Sequence, residues 1–260
     1  MDITFLFYSH SDYCDLWGSM NDSLAYIPDT YTRLIAINAD SPTQPTGFDG
    51  ILTYDDSLNY SDKVLLLLGQ IKTTYVVFIH DNDLLMTFSR QSFSDLLGII
   101  QSNNIDRCMF GVIGSKNASI LHEHFGLVNS NDTKSHHFRA PYDVGPSIWK
   151  VQAFKDAMSS IPSTSYRDIE DSEIQIYCKK HLNVYGFSSS DAHRAYYGLG
   201  RPFPEHFQFL HILFRGKVFT PHVYMDQTAN FIRIITKYPD IPKRGTHPGT
   251  YPIAVKFRTV

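Results

Sequence analysis

The sequence predicts an α/β protein built on a mostly parallel sheet, and three observations carry this. Strand and helix signals alternate over about the first eighty residues, as βαβ units require. The strand candidates are short apolar runs rich in aromatic and β-branched residues, which suits buried strands. The chain has 260 residues, 43% hydrophobic and 14% aromatic, enough to bury a sizeable core.

Ile3 to Tyr8 reads as the first strand. Ser11 and Asp12 are positioned to cap a helix running through Asn21 or Tyr26. Arg33 to Asn38 is the second strand, ending in Asn38, Ala39 and Asp40. The loop SPTQPTGFDG follows, then a third strand at Ile51 to Tyr54. Asp62 to Ile71 is a Leu-rich helix. Tyr75 to Ile79 (YVVFI) gives the strongest strand signal, and it runs straight into His80, Asp81, Asn82 and Asp83. Phe93 to Gln101 reads as a helix and Cys108 to Ile113 as a strand. Lys116 to Asp132 reads as a helix and a loop. APYDVGPS then opens a helix over Ile148 to Ser159. Ile169 to His181 is a further helix, followed by a strand near Val184 to Phe187. A last helix is expected around Ala229 to Thr236, with an extended C-terminal stretch of about twenty residues. No internal repeat and no linker-length low-complexity segment is present.

Composition removes several function classes. Charged residues make up 19% and net charge is −3, with Lys and Arg scattered, so a nucleic-acid binder is not expected. Cys14, Cys108 and Cys178 form no CxxC pair and suit free thiols in a reducing compartment. The longest apolar runs are too short to cross a bilayer. No signal-peptide pattern follows the N-terminus, so the sequons at Asn21, Asn59, Asn117 and Asn131 read as chance matches and the expected location is cytoplasmic. GxGxxG, GxxxxGK[ST] and GxSxG are absent, which disfavours a Rossmann dehydrogenase, a P-loop ATPase and an α/β-hydrolase.

Parallel sheets bind ligands outside the carboxyl ends of their strands, at a switch point. This directs attention to Ser9–Asp12, Asn38–Asp40 and His80–Asp83. Asp81-x-Asp83 follows a buried strand, and two such carboxylates can share a hard divalent cation such as Mg²⁺ or Mn²⁺. A solvated turn would read the same way. Glu170-Asp171 opens a predicted helix, where acids favour the helix dipole; either could also serve as a general base toward a hydroxyl. Trp149 lies at a loop-to-helix junction, where it could stack on a sugar or anchor the helix. The twelve histidines include His122-x-His124 and His136-His137, without the spacing of a catalytic zinc site.

The order of these pieces resembles the GT-A glycosyltransferases. It is most similar to the small ones encoded by large algal and amoebal DNA viruses and their bacterial relatives. FLFYSHSDYCDLW resembles that group's first strand and helix, and YDDSLNYSDKVLLLLGQIKTTYVVFIHDND its donor helix and DxD strand. SIWKVQAFKDAM and RDIEDSEIQIYC resemble the acceptor half. The likeness spans about residues 2–190 and is weak beyond them. Asn82 stands where close relatives often have an acid.

The resemblance implies a single GT-A-like domain over 1–260, a Rossmann-type mixed sheet flanked by helices. About 1–115 would form the nucleotide-sugar donor half and about 116–260 the acceptor half. It implies an inverting, metal-dependent transferase, located in the host cytoplasm if viral, that moves a sugar from a UDP- or GDP-linked donor to a hydroxyl of a glycan or glycoprotein acceptor. Asp81 and Asp83 would bind Mn²⁺ or Mg²⁺, with His193 or His222 as a third ligand. Tyr8, Ser9, Asp40, Lys63, His80 and Asp81 would face the donor. Asp171 would be the base, with Glu170 as the fallback. Tyr142 and Trp149 would shape the acceptor pocket. The alternatives are a nucleotidyltransferase or other metal-dependent nucleotide enzyme, or an inactive nucleotide- or sugar-binding module.

Overall fold

The computed structural model describes residues 2–114, 120–122, 125–130, 141–189, 206–214, 216–218 and 228–245. β1 (Ile3–Tyr8) is followed by a 3-10 turn (Ser11–Leu16) that runs into α1 (Trp17–Leu24). His10, rather than Ser11 or Asp12, caps the turn, its ring accepting the Asp12 amide. Then come β2 (Thr32–Asn38), β3 (Gly50–Tyr54), α2 (Tyr60–Gln70) and β4 (Tyr75–His80). These agree with the sequence expectation to within one or two residues.

Past His80 the chain departs from expectation. A two-residue turn leads into β5 (Asp83–Phe88), then α3 (Arg90–Ser102) and β6 (Arg107–Gly114). Two short strands, β7 (Ile120–His122) and β8 (Leu127–Asn129), replace the helix expected within 116–132. The segment SIWK forms β9 (Ser147–Lys150), and α4 (Val151–Ser159) starts only after it. Gly145-Pro146-Ser147 resembles a helix start. But this stretch lies between β4 and β6, whose backbone groups need partners, and β9 pairs antiparallel with both. A 3-10 turn (Ile169–Asp171) precedes α5 (Ile174–His181), so the single helix expected there is broken. β10 (Val184–Ser189), β11 (Phe207–His211), β12 (Leu213–Phe214), β13 (Lys217–Val218), α6 (Thr228–Lys237) and a 3-10 turn (Ile241–Arg244) complete the described chain. Of the expected extended C-terminus, 241–244 are therefore helical and 246–260 lie outside the described residues.

The main sheet has the order β3-β2-β1-β4-β9-β6-β10-β8-β7. β3, β2, β1 and β4 are mutually parallel, but β9 runs antiparallel between β4 and β6. The sheet is mixed, as the resemblance implies, with its first four strands parallel as the βαβ pattern predicts. β5 leaves it to pair antiparallel with β11.

Helices cover both faces. Phe5, Phe7, Val77 and Ile79 point to the face covered by α1 and α3. Leu6, Val76 and Phe78 point to the face covered by α2 and α4. This two-sided burial explains the unbroken apolar runs of β1 and β4. Among the described residues, no helix is long and apolar enough to cross a membrane.

Candidate functional site

β1 connects toward β2 on one side, and its other neighbour is β4. The carboxyl ends of β1 and β4 therefore flank a switch point, where such sheets form a ligand crevice. Ser9 follows β1, and Asp81 follows β4.

Ser9 donates its hydroxyl to Asp81 Oδ2 at 2.9 Å, and Ser9 Oγ in turn accepts Trp17 Nε1 at 2.8 Å. The Ser9 carbonyl accepts Tyr54 OH at 2.6 Å. Ser9 is buried, so its side chain fixes Asp81 instead of facing a nucleotide. Burial raises the Asp81 acid to about 7, and the neighbouring Asp83 charge adds to the rise. Ser9 and the Arg244 charge oppose it. Arg244 comes from the C-terminal 3-10 turn, where it pairs with Asp15 and lies 4.7 Å from the Tyr13 ring centre.

Asp83 is 4% exposed. Its Oδ1 lies 2.9 Å from Nδ1 of His211, its cross-strand partner on β11. Two carboxylates at one strand end supply hard oxygen donors, which fit Mg²⁺ or Mn²⁺. Among the described residues, no three His, Cys, Asp or Glu side chains are grouped to hold one metal ion. His193 and His222 lie outside the described residues, as do His124, His136 and His137.

His80 is 3% exposed, so it lies beneath the crevice instead of lining it. Its Nε2 is 2.8 Å from Tyr60 OH, and its ring meets those of Tyr8, Phe78 and Tyr166 edge-on. Burial lowers its pKa to about 4, keeping the imidazole neutral at pH 7.

The other expected donor residues sit at the same end of the sheet. Tyr8 stacks on Tyr54 with ring centres 5.3 Å apart. Lys63 binds Asp56 at 2.6 Å and lies over the Tyr54 ring. Asp56 also holds His10 at 3.1 Å. Asp40 is exposed and accepts Asn38 Nδ2 at 2.8 Å.

The expected acceptor residues divide. Trp149 is 1% exposed, stacked on Phe154 with Arg107 on its ring. Tyr142 is 2% exposed and also carries Arg107. Both rings belong to the core around buried Arg107, which binds Pro141 O, Asp143 and Ser147. Neither offers a face to an acceptor, which corrects the reading of both. Trp149 is a strand residue between β4 and β6, two residues before α4, and not a loop residue. Glu170 is exposed, and its Oε1 accepts the Val144 amide at 2.8 Å. The Asp171 backbone lies in the 3-10 turn; its side chain lies outside what is described.

Tyr166 is the aromatic residue that does reach this surface. It is 44% exposed, and its ring centre lies 5.2 Å from that of Tyr60 and 5.7 Å from that of His80. Burial of its hydroxyl end holds the phenol above its ordinary pKa, and the charges of Asp83, Glu170 and Asp81 push the same way. The sequence carries no signal for Tyr166, which sits in a loop of ordinary turn residues.

No family model matches the sequence, and no curated protein matches it. Solved structures resemble the fold. TarS residues 1–349 from S. aureus is 15% identical with a TM-score of 0.48, covering 74% of this chain and 58% of that one. It has also been solved with UDP-GlcNAc and with UDP. HddC from Yersinia pseudotuberculosis is 12% identical with a TM-score of 0.42, covering 73% of this chain and 90% of that one. A cytidylyltransferase from Leptospira borgpetersenii serovar Hardjo-bovis is 9% identical with a TM-score of 0.45, covering 95% and 99%.

Proposed function

We propose that this chain is a GT-A-like glycosyltransferase that moves a sugar from a nucleoside-diphosphate sugar to a hydroxyl of a glycan acceptor. The carrying observation is the Ser9–Asp81 hydrogen bond at the switch point, with Asp83 two residues on. Residues of about 1–115 form the donor half, and residues of about 116–260 form the acceptor half.

Asp81 and Asp83 would hold Mn²⁺ or Mg²⁺, which when bound would supply Lewis-acid stabilisation of charge on the leaving diphosphate. Few protein ligands suffice, because Mg²⁺ is commonly held by one or two carboxylates together with substrate phosphates and water. Ser9 and Trp17 keep Asp81 in place. Tyr8 and Lys63 shape the nucleotide end, with buried Tyr54 stacked behind Tyr8. Glu170 or Asp171 takes the proton from the acceptor hydroxyl, and the reaction inverts the anomeric carbon. The similarity of the DxD strand and of RDIEDSEIQIYC to the small virus-type GT-A enzymes supports this assignment.

A nucleotidyltransferase is the second reading. The engagement of Glu170 with the Val144 amide favours it, because a carboxylate fixed on backbone is a poorer base. The test is product analysis with Mn²⁺ and a panel of nucleotide sugars and nucleoside triphosphates. Free nucleoside diphosphate supports glycosyl transfer, and pyrophosphate supports the second reading. Binding of a nucleotide sugar without turnover points to an inactive binding module.

A further inference from the structure

We propose that Tyr166 is the platform on which the donor sugar ring stacks, an inference that rests on the nucleotide-sugar reading above. Three observations carry it. The first is position. Tyr166 packs edge-on against His80, the last residue of β4, and against Tyr60. It therefore packs on the residue that immediately precedes Asp81 in sequence, where the diphosphate would be held.

The second is the way the ring is mounted. Its loop is fixed to the start of α2: Ser61 N donates to Thr164 O at 3.1 Å, and Thr164 N to Ser61 Oγ at 2.8 Å. Asn59 donates to Ser163 Oγ at 2.8 Å, and Ser163 also bonds Asp62. A turn follows, with Asp168 N donating to Ser165 O and Ser165 Oγ to Asp168. Buried Ile169 anchors the far side. A large ring held from both sides yet left 44% exposed is preorganised for a partner, since little ordering remains to be done on binding.

The third is chemistry. After burial, the charges of Asp83, Glu170 and Asp81 raise the Tyr166 phenol, so these carboxylates lie within electrostatic range of its hydroxyl. Sugars present apolar C–H faces and hydroxyl donors together. An aromatic face with carboxylates in range of its hydroxyl end matches both. With Trp149 and Tyr142 enclosed in the core, Tyr166 is the exposed ring among the described residues that packs on His80, the residue before Asp81.

Calorimetric titration in Mn²⁺ tests the proposal. The probes are UDP, GDP, UDP-glucose, UDP-N-acetylglucosamine and GDP-mannose, on the wild type and on Tyr166→Ala, Tyr166→Leu and Tyr166→Phe. Circular dichroism checks that each variant is folded. Tyr166→Ala and Tyr166→Leu should weaken the preferred nucleotide sugar about tenfold. Affinity for the bare diphosphate should stay unchanged, and Tyr166→Phe should bind as wild type. If the diphosphate binds but its sugar conjugate is unaffected in Tyr166→Ala, or both weaken equally, the stacking role is overturned and the nucleotide reading stands. If the wild type binds none of the five probes, the nucleotide reading falls and the stacking role falls with it.

Discussion

Ser9 Oγ donates to Asp81 Oδ2 at 2.9 Å across the ends of two adjacent parallel strands. The bond joins residues 72 positions apart in sequence, and Trp17 Nε1 completes the relay behind it at 2.8 Å. Ser9→Ala removes the Asp81 donor and leaves the buried indole N–H without its acceptor. The expected loss is about 1–3 kcal/mol of stability, read by urea denaturation, together with weaker metal-dependent ligand binding.

Asp81 should impose a characteristic pH dependence. Its folded pKa is about 7 against an unfolded value of about 3.9. Between these values the folded chain keeps a proton that the unfolded chain has lost. Stability from this group therefore falls as pH rises from about 4 to about 7 and is flat on either side. His80 acts oppositely. Its folded pKa of about 4 lies below the unfolded value of about 6.5, so its contribution is lost as pH falls through that window. The diagnostic quantity is thus the difference between wild type and Asp81→Asn, measured by denaturation from pH 4 to 8 in metal-free buffer. The variant should gain relative stability toward pH 8 and show no gain at pH 4.

Arg107 holds the turn before β9. It is fully buried and binds Pro141 O, Asp143 O, Asp143 Oδ1 and Ser147 Oγ at 2.7–3.0 Å. Arg107→Met removes these four hydrogen bonds from a buried site, with an expected cost of about 3 kcal/mol or more. Arg107→Lys should recover only part, because an ammonium cannot reproduce the planar fork. Denaturant midpoints for the two variants check this.

Trp149 is a core residue, and its variants should show it. Trp149→Ala should cost about 3–5 kcal/mol. Trp149→Phe, which can still stack on Phe154, should fold and leave the KM for acceptor unchanged. A selective rise in that KM would restore the acceptor role denied here.

Much of the fold was legible wherever burial on both faces forced continuous apolar strands. β1, β2 and β4 read clearly for that reason, and so did the positions of Ser9 and Asp81 just after them. β5 did not. Its partner β11 lies more than a hundred residues on, and DND before it reads as the start of a loop. β9 was masked by Gly145-Pro146-Ser147, whose helix-start chemistry was overridden by the open edges of β4 and β6. The resemblance, rather than this local reading, placed Trp149 in the acceptor pocket. Tyr166, Trp17, His211 and Arg244 escaped notice because their importance comes from contacts distant in sequence, and nothing local marks them.

In the proposed function, Asp81 and Asp83 bind a nucleoside diphosphate through a divalent metal. The most direct test is thermal stabilisation by UDP and GDP with and without Mn²⁺, on the wild type and on Asp83→Asn. Ligand at a hundred times its Kd stabilises the native state by about 2.7 kcal/mol, a readily measured rise in Tm. The account predicts a shift for one nucleotide that requires Mn²⁺ and disappears in Asp83→Asn. A shift that is independent of metal, or one that survives in the variant, would contradict it.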